Sequence, residues 1–284
     1  MLSPLILFEI TGIVNKDGTQ IHLKSFTPGS IDVIDWLSET EKNKILEDRE
    51  PANAPVLPTY IRVQPENQGK LFWFSGPPGA GKSTTAQLMA KKYGYVYYEA
   101  DCVRSFVNPF IDIDVPNPTM AQMNQKPLKG VSKNLLKLNE LTSKIAFGQR
   151  KEQNDKEYLD IFDEFITEIC TLSAEDILFH KKKIGGNWAV ALAVSSRKHR
   201  EVLRKAIGTD LYIFVLNLTR ESNLKRVIER HGAEHGKEIA KRFEKIIKQY
   251  EPAEYDEVNT FNIEVTEEMT PDDVVEKAIS CLRK

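Results

Sequence analysis

The segment Gly76-Pro77-Pro78-Gly79-Ala80-Gly81-Lys82-Ser83-Thr84 constrains this chain more than any other stretch. It satisfies the pattern Gly-x-x-x-x-Gly-Lys-Ser/Thr, and its flanks supply the context that the pattern needs. Leu71 to Phe74 reads as a short buried strand before it; Thr84 to Tyr93 reads as a helix after it, stopped by Gly94. A strand handed to a helix through such a loop belongs in an open α/β sheet with helices on its faces.

The rest of the sheet is legible as short apolar runs. Tyr95 to Glu99, Trp188 to Val194, Leu211 to Leu216 and Phe261 to Val265 read as four more buried strands, separated by helical patterns. The predicted architecture is a five-stranded parallel sheet flanked by helices over residues 66–284. Two amphipathic stripes are the clearest helices between strands. Tyr158, Ile161, Phe162, Phe165, Ile166, Ile169 and Leu172 form one, and Ile239, Phe243, Ile246, Ile247 and Tyr250 the other; both are expected to face the core. Residues 1–65 read as an N-terminal extension, with a hairpin from Leu5 to Phe26 turning at Asn15 to Gly18 and a helix capped by Ser30.

Composition narrows the function classes. With 284 residues, 41% hydrophobic, 28% charged and a formal net charge of -2, the chain is globular rather than disordered. It carries no bulk positive charge to draw it to nucleic acid. The apolar stretch at the N-terminus is short, lacks a basic leader and is broken by Glu9, so neither a signal peptide nor a membrane helix is expected. Cys102, Cys170 and Cys281 lie far apart without a CxxC pair, which suits a reducing, cytoplasmic setting. Oligomeric state leaves no trace in the pattern.

The chemistry centres on phosphate. Gly76, Gly79, Ala80 and Gly81 let successive backbone N–H groups turn towards an anion, and the helix that follows adds its positive dipole end. Lys82 is placed for the β- and γ-phosphates, the Ser83 hydroxyl for Mg²⁺, and Thr84 for the α-phosphate. ATP with Mg²⁺ is the cofactor set these residues call for. The acceptor side begins at the end of the second strand, in Glu99-Ala100-Asp101-Cys102-Val103-Arg104, at the sheet edge where ligands bind. Asp101 is the candidate to accept a proton from an acceptor hydroxyl, against the plainer role of capping a helix; Arg104 is a candidate grip for the acceptor; Glu99 either shares the site or faces solvent.

Further cations follow. Arg197, Lys198, Arg200 and Arg204 come after the third strand, and Arg200 and Arg204 are candidate ligands for an anionic acceptor. Arg226 and Arg230, four apart on one helical face, lead into His231-Gly232-Ala233-Glu234-His235-Gly236. This stretch is expected to be a polar lid loop around residues 230–237, hinged at Gly232 and Gly236, with Arg226 on the nucleotide and Arg230 delivering charge to the transferring phosphoryl.

From about Leu71 to about Pro252 the chain resembles the gluconate kinase family of small-molecule P-loop kinases. The resemblance rests on the phosphate loop and on four weaker pieces in the same order: Met123, Pro127 and Leu128 with Leu135 and Leu136; Arg200-Glu201-Val202-Leu203-Arg204; Leu224-Lys225-Arg226 with Arg230; and Arg242-Phe243-Glu244 followed by Glu251-Pro252. It implies transfer of the γ-phosphoryl of ATP to a hydroxyl of a small anionic metabolite. The chain departs from that family at the acceptor motif, where only Asp101 is retained as an acid, and by an insertion before the Trp188 strand. Asp101-Cys102-Val103-Arg104 also resembles the acceptor segment of adenylate kinases, which keeps a nucleoside monophosphate kinase as the alternative. A third reading is a nucleotide-dependent interaction module without transfer activity.

Overall fold

The computed structural model describes residues 60–104, 109–114, 141 and 155–283. The N-terminal hairpin and helix, and the segment holding Met123, Pro127, Leu128, Leu135 and Leu136, lie outside the described residues.

Five parallel strands form the sheet: β1 (Leu71–Ser75), β2 (Val96–Glu99), β3 (Trp188–Ala191), β4 (Leu211–Asn217) and β5 (Thr260–Glu264), in the order β2-β3-β1-β4-β5. All of them coincide with apolar runs expected to be strands. Every residue of β1 is buried, as a central strand covered on both faces must be. Its side chains alternate: Leu71 and Trp73 enter one core with Val190 and Ile213, while Phe72 and Phe74 enter the other with Ala189 and Phe214.

Helices cover both faces. On the second face lie α1 (Lys82–Tyr93), through Ala86, Met89 and Ala90, and α7 (Pro271–Cys281), through Val274, Val275 and Ala278. Gly94 ends α1 in the left-handed region at φ 68°, donating its N–H to the Ala90 carbonyl, as a glycine stop does. After β2 comes a single turn, α2 (Asp101–Arg104). The first face is covered by α3 (Asp155–Ile184) and α4 (Arg197–Ile207). The stripe of α3 is core, as its spacing predicts: Tyr158, Phe162, Phe165, Ile166, Ile169 and Leu172 are all buried. At its end Gly185 has φ 70°, and a Cβ there would run into the Gln64 carbonyl, so Gln64 lies against the corner and Ile61 against this core. None of the helices among the described residues is long and apolar enough to cross a membrane.

The expected lid loop takes another form. Helix α5 (Arg220–His231) meets α6 (Ala233–Ile247) at Gly232 alone, so the stretch after it is helical. Gly236 is not a hinge but a contact point inside α6, where a Cβ would stand 2.5 Å from the Ile228 carbonyl oxygen of α5. The glycine is there because the two helices approach closely.

Two candidate acceptor ligands turn out to be structural. Arg200 is fully buried; its Nε donates to Glu257 Oε2 at 2.7 Å and its Nη2 to Glu257 Oε1 at 2.6 Å, while its remaining donors meet the Glu251 and Pro252 carbonyls. A guanidinium with its donors engaged in this way has no face left for a metabolite. Arg204 donates through Nη2 to the Val258 carbonyl at 2.7 Å and to Thr260 Oγ1, at the start of β5 and so at the sheet edge opposite the loop. The sequence reading erred on both because a basic helix face looks the same whether it meets solvent, ligand or a buried acid.

The Arg200–Glu257 pair makes a testable element. Burial pushes the Glu257 carboxyl up, but the Arg200 hydrogen bonds, the Glu254 amide and the charges of Arg200 and Arg204 outweigh it and hold it below the usual range. A depressed folded value means stability that is present above the unfolded carboxylate value and lost as pH falls through the folded one. Glu257→Gln leaves a buried cation with half its partner, and is expected to lower unfolding free energy by about 3 kcal/mol at neutral pH. Urea denaturation at pH 7 and in buffer acidified well below the usual carboxylate range checks this: the wild-type advantage should shrink at the lower pH, and an equal gap at both values refutes the assignment.

Candidate active site

The loop is rooted before it begins. Ser75, the last residue of β1, donates from Oγ to the Val194 carbonyl at 2.7 Å and accepts from the Val194 amide at 3.3 Å, which joins the ends of β1 and the chain leaving β3. Gly76 follows at φ 142°, where a Cβ would stand 2.7 Å from the Leu216 carbonyl oxygen. Glycine is required there by space as well as by conformation. Gly81 caps α1 at φ 88° with no side chain capping the first turn, so the helix presents its amides to the loop's interior rather than to a neighbouring residue. Lys82 is buried, and its Nζ donates to the Pro77 carbonyl at 2.9 Å, which folds the ammonium over the loop.

Across from the loop stands a carboxylate at the end of β2. Glu99 is 2% exposed and lies on the α1 face. Its Oε2 accepts the Tyr97 hydroxyl at 2.7 Å, while Oε1 is buried with no hydrogen bond of good geometry. Burial, and next the neighbouring Asp101, push this carboxyl up to about 7; the hydroxyls of Ser83 and Tyr97 and the charge of Lys82 oppose the rise. Burial, followed by the charge of Glu99, also pushes the Tyr97 phenol well up, so it stays a donor. A carboxyl oxygen buried without a hydrogen bond of good geometry is costly. Beside a hydroxyl and an ammonium of a phosphate loop, it fits a cation that arrives with the nucleotide. The donor set of Ser83 and Glu99, hard oxygens both, suits Mg²⁺.

Asp101 opens α2, half-buried and within electrostatic reach of Glu99. The structure thus brings Lys82, Ser83, Glu99 and Asp101 to one place. Arg104 closes the same turn; its side chain lies outside the described residues. Thr84 is exposed at the start of α1. Ala80 is buried and donates its amide to the Pro77 carbonyl at 3.1 Å, closing the turn at the loop's tip.

On the other flank α5 leans on the loop. A Cβ at Gly79 would be 3.2 Å from the Asn223 carbonyl oxygen and 3.6 Å from Arg226 Cβ. Arg226 therefore borders the cradle, with Nη2 near the Thr266 carbonyl at 3.4 Å. Arg230 lies one turn on, exposed, beside the Gly232 break. Asn223 is buried with its Oδ1 lacking a partner, a polar group at the loop that sequence reasoning passed over. Arg197 and Lys198 are engaged elsewhere: Arg197 with Glu201, Glu254 and Asp256, and Lys198 with Asp163.

Glu99 is the residue that the sequence most undervalued. Its signal was parity: Tyr97 and Glu99 share a face of β2, and Tyr97 belongs to the core that α1 covers, so Glu99 had to point at the loop's helix and not at solvent.

No protein-family model matches the sequence, and no curated protein matches it. The chain is similar in structure to a sugar kinase from Janibacter sp. HTCC2649, with a TM-score of 0.46 and 16% identity over 76% of this chain and 95% of that one. It is similar to a gluconokinase from Sinorhizobium meliloti 1021, with a TM-score of 0.42 and 14% identity over 76% of this chain and 93% of that one. It is also similar to the Mycobacterium tuberculosis APS kinase CysC, solved in complex with AMPPNP and APS, with a TM-score of 0.41 and 15% identity over 77% of this chain and 99% of that one. At these identities the likeness concerns the fold alone.

Proposed function

We propose that the protein is an ATP-dependent kinase that transfers a phosphoryl group to a hydroxyl of a small metabolite. The observation that carries the reading is the buried Glu99 carboxyl, one oxygen without a hydrogen bond of good geometry, set against Ser83 and Lys82 of a complete phosphate loop. A simple glycine turn between strand and helix has no use for such a carboxylate.

Bound ATP and Mg²⁺ would supply the reactive phosphoryl and neutralise its charge. The chain's own contribution is positional and electrostatic. Backbone amides of Gly79, Gly81, Lys82, Ser83 and Thr84 would orient the phosphates, Lys82 would turn to them from the Pro77 carbonyl, and Ser83 and Glu99 would hold the cation. Tyr97 fixes the Glu99 carboxyl so that one oxygen stays turned away from the phenol. Asp101, at the edge of the crevice, accepts the proton of the acceptor hydroxyl. Arg226 borders the nucleotide and Arg230 approaches the phosphates when the α5–α6 hairpin closes.

The acceptor is read as small and anionic, with gluconate-like sugar acids as the first class to assay. With Arg200 buried in the core and Arg204 at the opposite sheet edge, its grip falls to Arg104 and to the hairpin arginines. A screen of ATP consumption against sugar acids and nucleoside monophosphates is the direct test, and tight nucleotide binding without turnover on any of them would favour an interaction module.

Lys82→Ala is expected to cost at least about tenfold in triphosphate affinity and nearly all activity, because it removes a charge-assisted contact to the phosphates. Asp101→Asn should lower turnover by about 10²–10⁴-fold, the ordinary worth of a positioned base, with nucleotide affinity within about twofold. Unchanged turnover in Asp101→Asn removes that residue from the chemistry. Glu99→Gln is expected to raise the Mg²⁺ concentration needed for half-maximal nucleotide binding by about tenfold, measured by fluorescence titration; an unaltered Mg²⁺ curve excludes Glu99 as a holder of the cation.

A further inference from the structure

A second cleft opens just beyond Val194, where α3, the start of α4 and the exit of α6 meet. It has a volume of about 240 Å³ and is walled by Leu159, Phe162 and Asp163 of α3, Ser195, Ser196 and Lys198 at the head of α4, and Gln249 and Glu251 after α6. That volume is below the usual range for a drug-sized ligand or a nucleotide, and it suits a molecule of a few heavy atoms.

The hydrogen bonding of the cleft has a fixed sense. Buried His199 places Nε2 3.1 Å from the Asp163 carbonyl oxygen and 3.1 Å from Asp163 Oδ1. Both are acceptors, so Nε2 carries the proton. Burial holds the imidazole below its usual range, the Asp163 contacts notwithstanding, which keeps it neutral and leaves Nδ1 as an acceptor. Nδ1 stands 2.8 Å from Ser196 Oγ and 3.1 Å from Ser195 Oγ, and its one lone pair accepts from the nearer hydroxyl, that of Ser196. The oxygens then offer lone pairs to the cleft.

Of the remaining lining groups, Gln249 carries donors as well as an acceptor, and the two carboxylates supply acceptors. Asp163 and Glu251 are the carboxylates; Glu251 is exposed and accepts through Oε2 from the Arg197 amide at 2.9 Å. Among the lining residues one cation faces them, Lys198, whose ammonium sits on Asp163 Oδ2 with both side chains well exposed. The cleft is therefore rich in acceptors and net negative, with an apolar wall of Leu159 and Phe162. The Lys198 ammonium displays the kind of group it takes.

We propose that this cleft is a binding site for a small protonated amine of the amino-alcohol or diamine class, its ammonium on Asp163 and Glu251, its other donors on the Ser195 and Ser196 oxygens, and its carbon stem against Leu159 and Phe162. Lys198 competes for the same carboxylate. An exposed pair of this kind is worth roughly 0–1 kcal/mol, so a ligand displaces it at little cost. The site stands independently of the kinase reading, since it uses no residue assigned to phosphate transfer.

Calorimetric titration of the full chain without nucleotide, with 2-aminoethanol and 1,4-diaminobutane as probes and glycerol and acetate as neutral and anionic controls, tests the proposal. The amines are expected to bind and the controls to bind at least about tenfold more weakly, a difference of about 1.4 kcal/mol. Lys198→Ala, which frees Asp163, should tighten the amines by up to about fivefold, the equivalent of losing a competing pair of about 1 kcal/mol. Asp163→Asn added to that variant should abolish the gain. Because Asp163 also holds His199, Glu251→Gln in the Lys198→Ala chain provides a second reading, with an expected weakening of about threefold. Absence of amine binding to both wild type and Lys198→Ala overturns the proposal, as does acetate binding as well as the amines, or amine affinity indifferent to both carboxylate changes.

Discussion

The structure depends on one constraint: β1 is covered on both faces and flanked on both edges. A strand so placed can leave the sheet only at its end, and there the chain must turn at once towards a helix on one face. The glycine loop performs that turn. The bond pair between Ser75 and Val194 then ties the loop's root to the chain leaving β3, so the geometry of the phosphate cradle is inherited from the packing of the sheet beneath it. Position comes from burial; charge is laid on top of it.

That division explains why the fold was readable and the site only partly so. Strands buried on both faces are runs of apolar residues, and Leu71 to Phe74 or Leu211 to Leu216 announce themselves without any knowledge of neighbours. The loop is a local motif of contiguous residues, and Gly94 stops its helix by a local rule. Charged side chains obey no such local logic. Arg200 and Glu257 are 57 residues apart, and nothing in either neighbourhood marks one as the other's buried partner. Glu99 was ambiguous for the opposite reason: its role hangs on which face of a four-residue strand looks at α1, a parity that only the packed sheet resolves.

The glycines of the α5–α6 hairpin make the same point. Gly232 breaks the helix by its own conformation, and a sequence shows that. Gly236 sits within regular helix because the carbonyl of Ile228 comes too close for any side chain; the requirement belongs to the neighbouring helix, and a reading of one segment at a time takes it for flexibility.

There is, last, a mismatch of length in the middle of the molecule. Helix α3 has 30 residues and β3, which follows it after a tight glycine corner, has four. At about 1.5 Å per helical residue and about 3.3 Å per strand residue, one is roughly 45 Å long and the other roughly 13 Å. Since the corner pins the helix to the start of the strand, the surplus overhangs the far edge of the sheet, where the phosphate loop also emerges. Short strands alone make a shallow rim. The overhang raises one side of it into a parapet, and a chain with a small sheet thereby acquires depth that its strands lack.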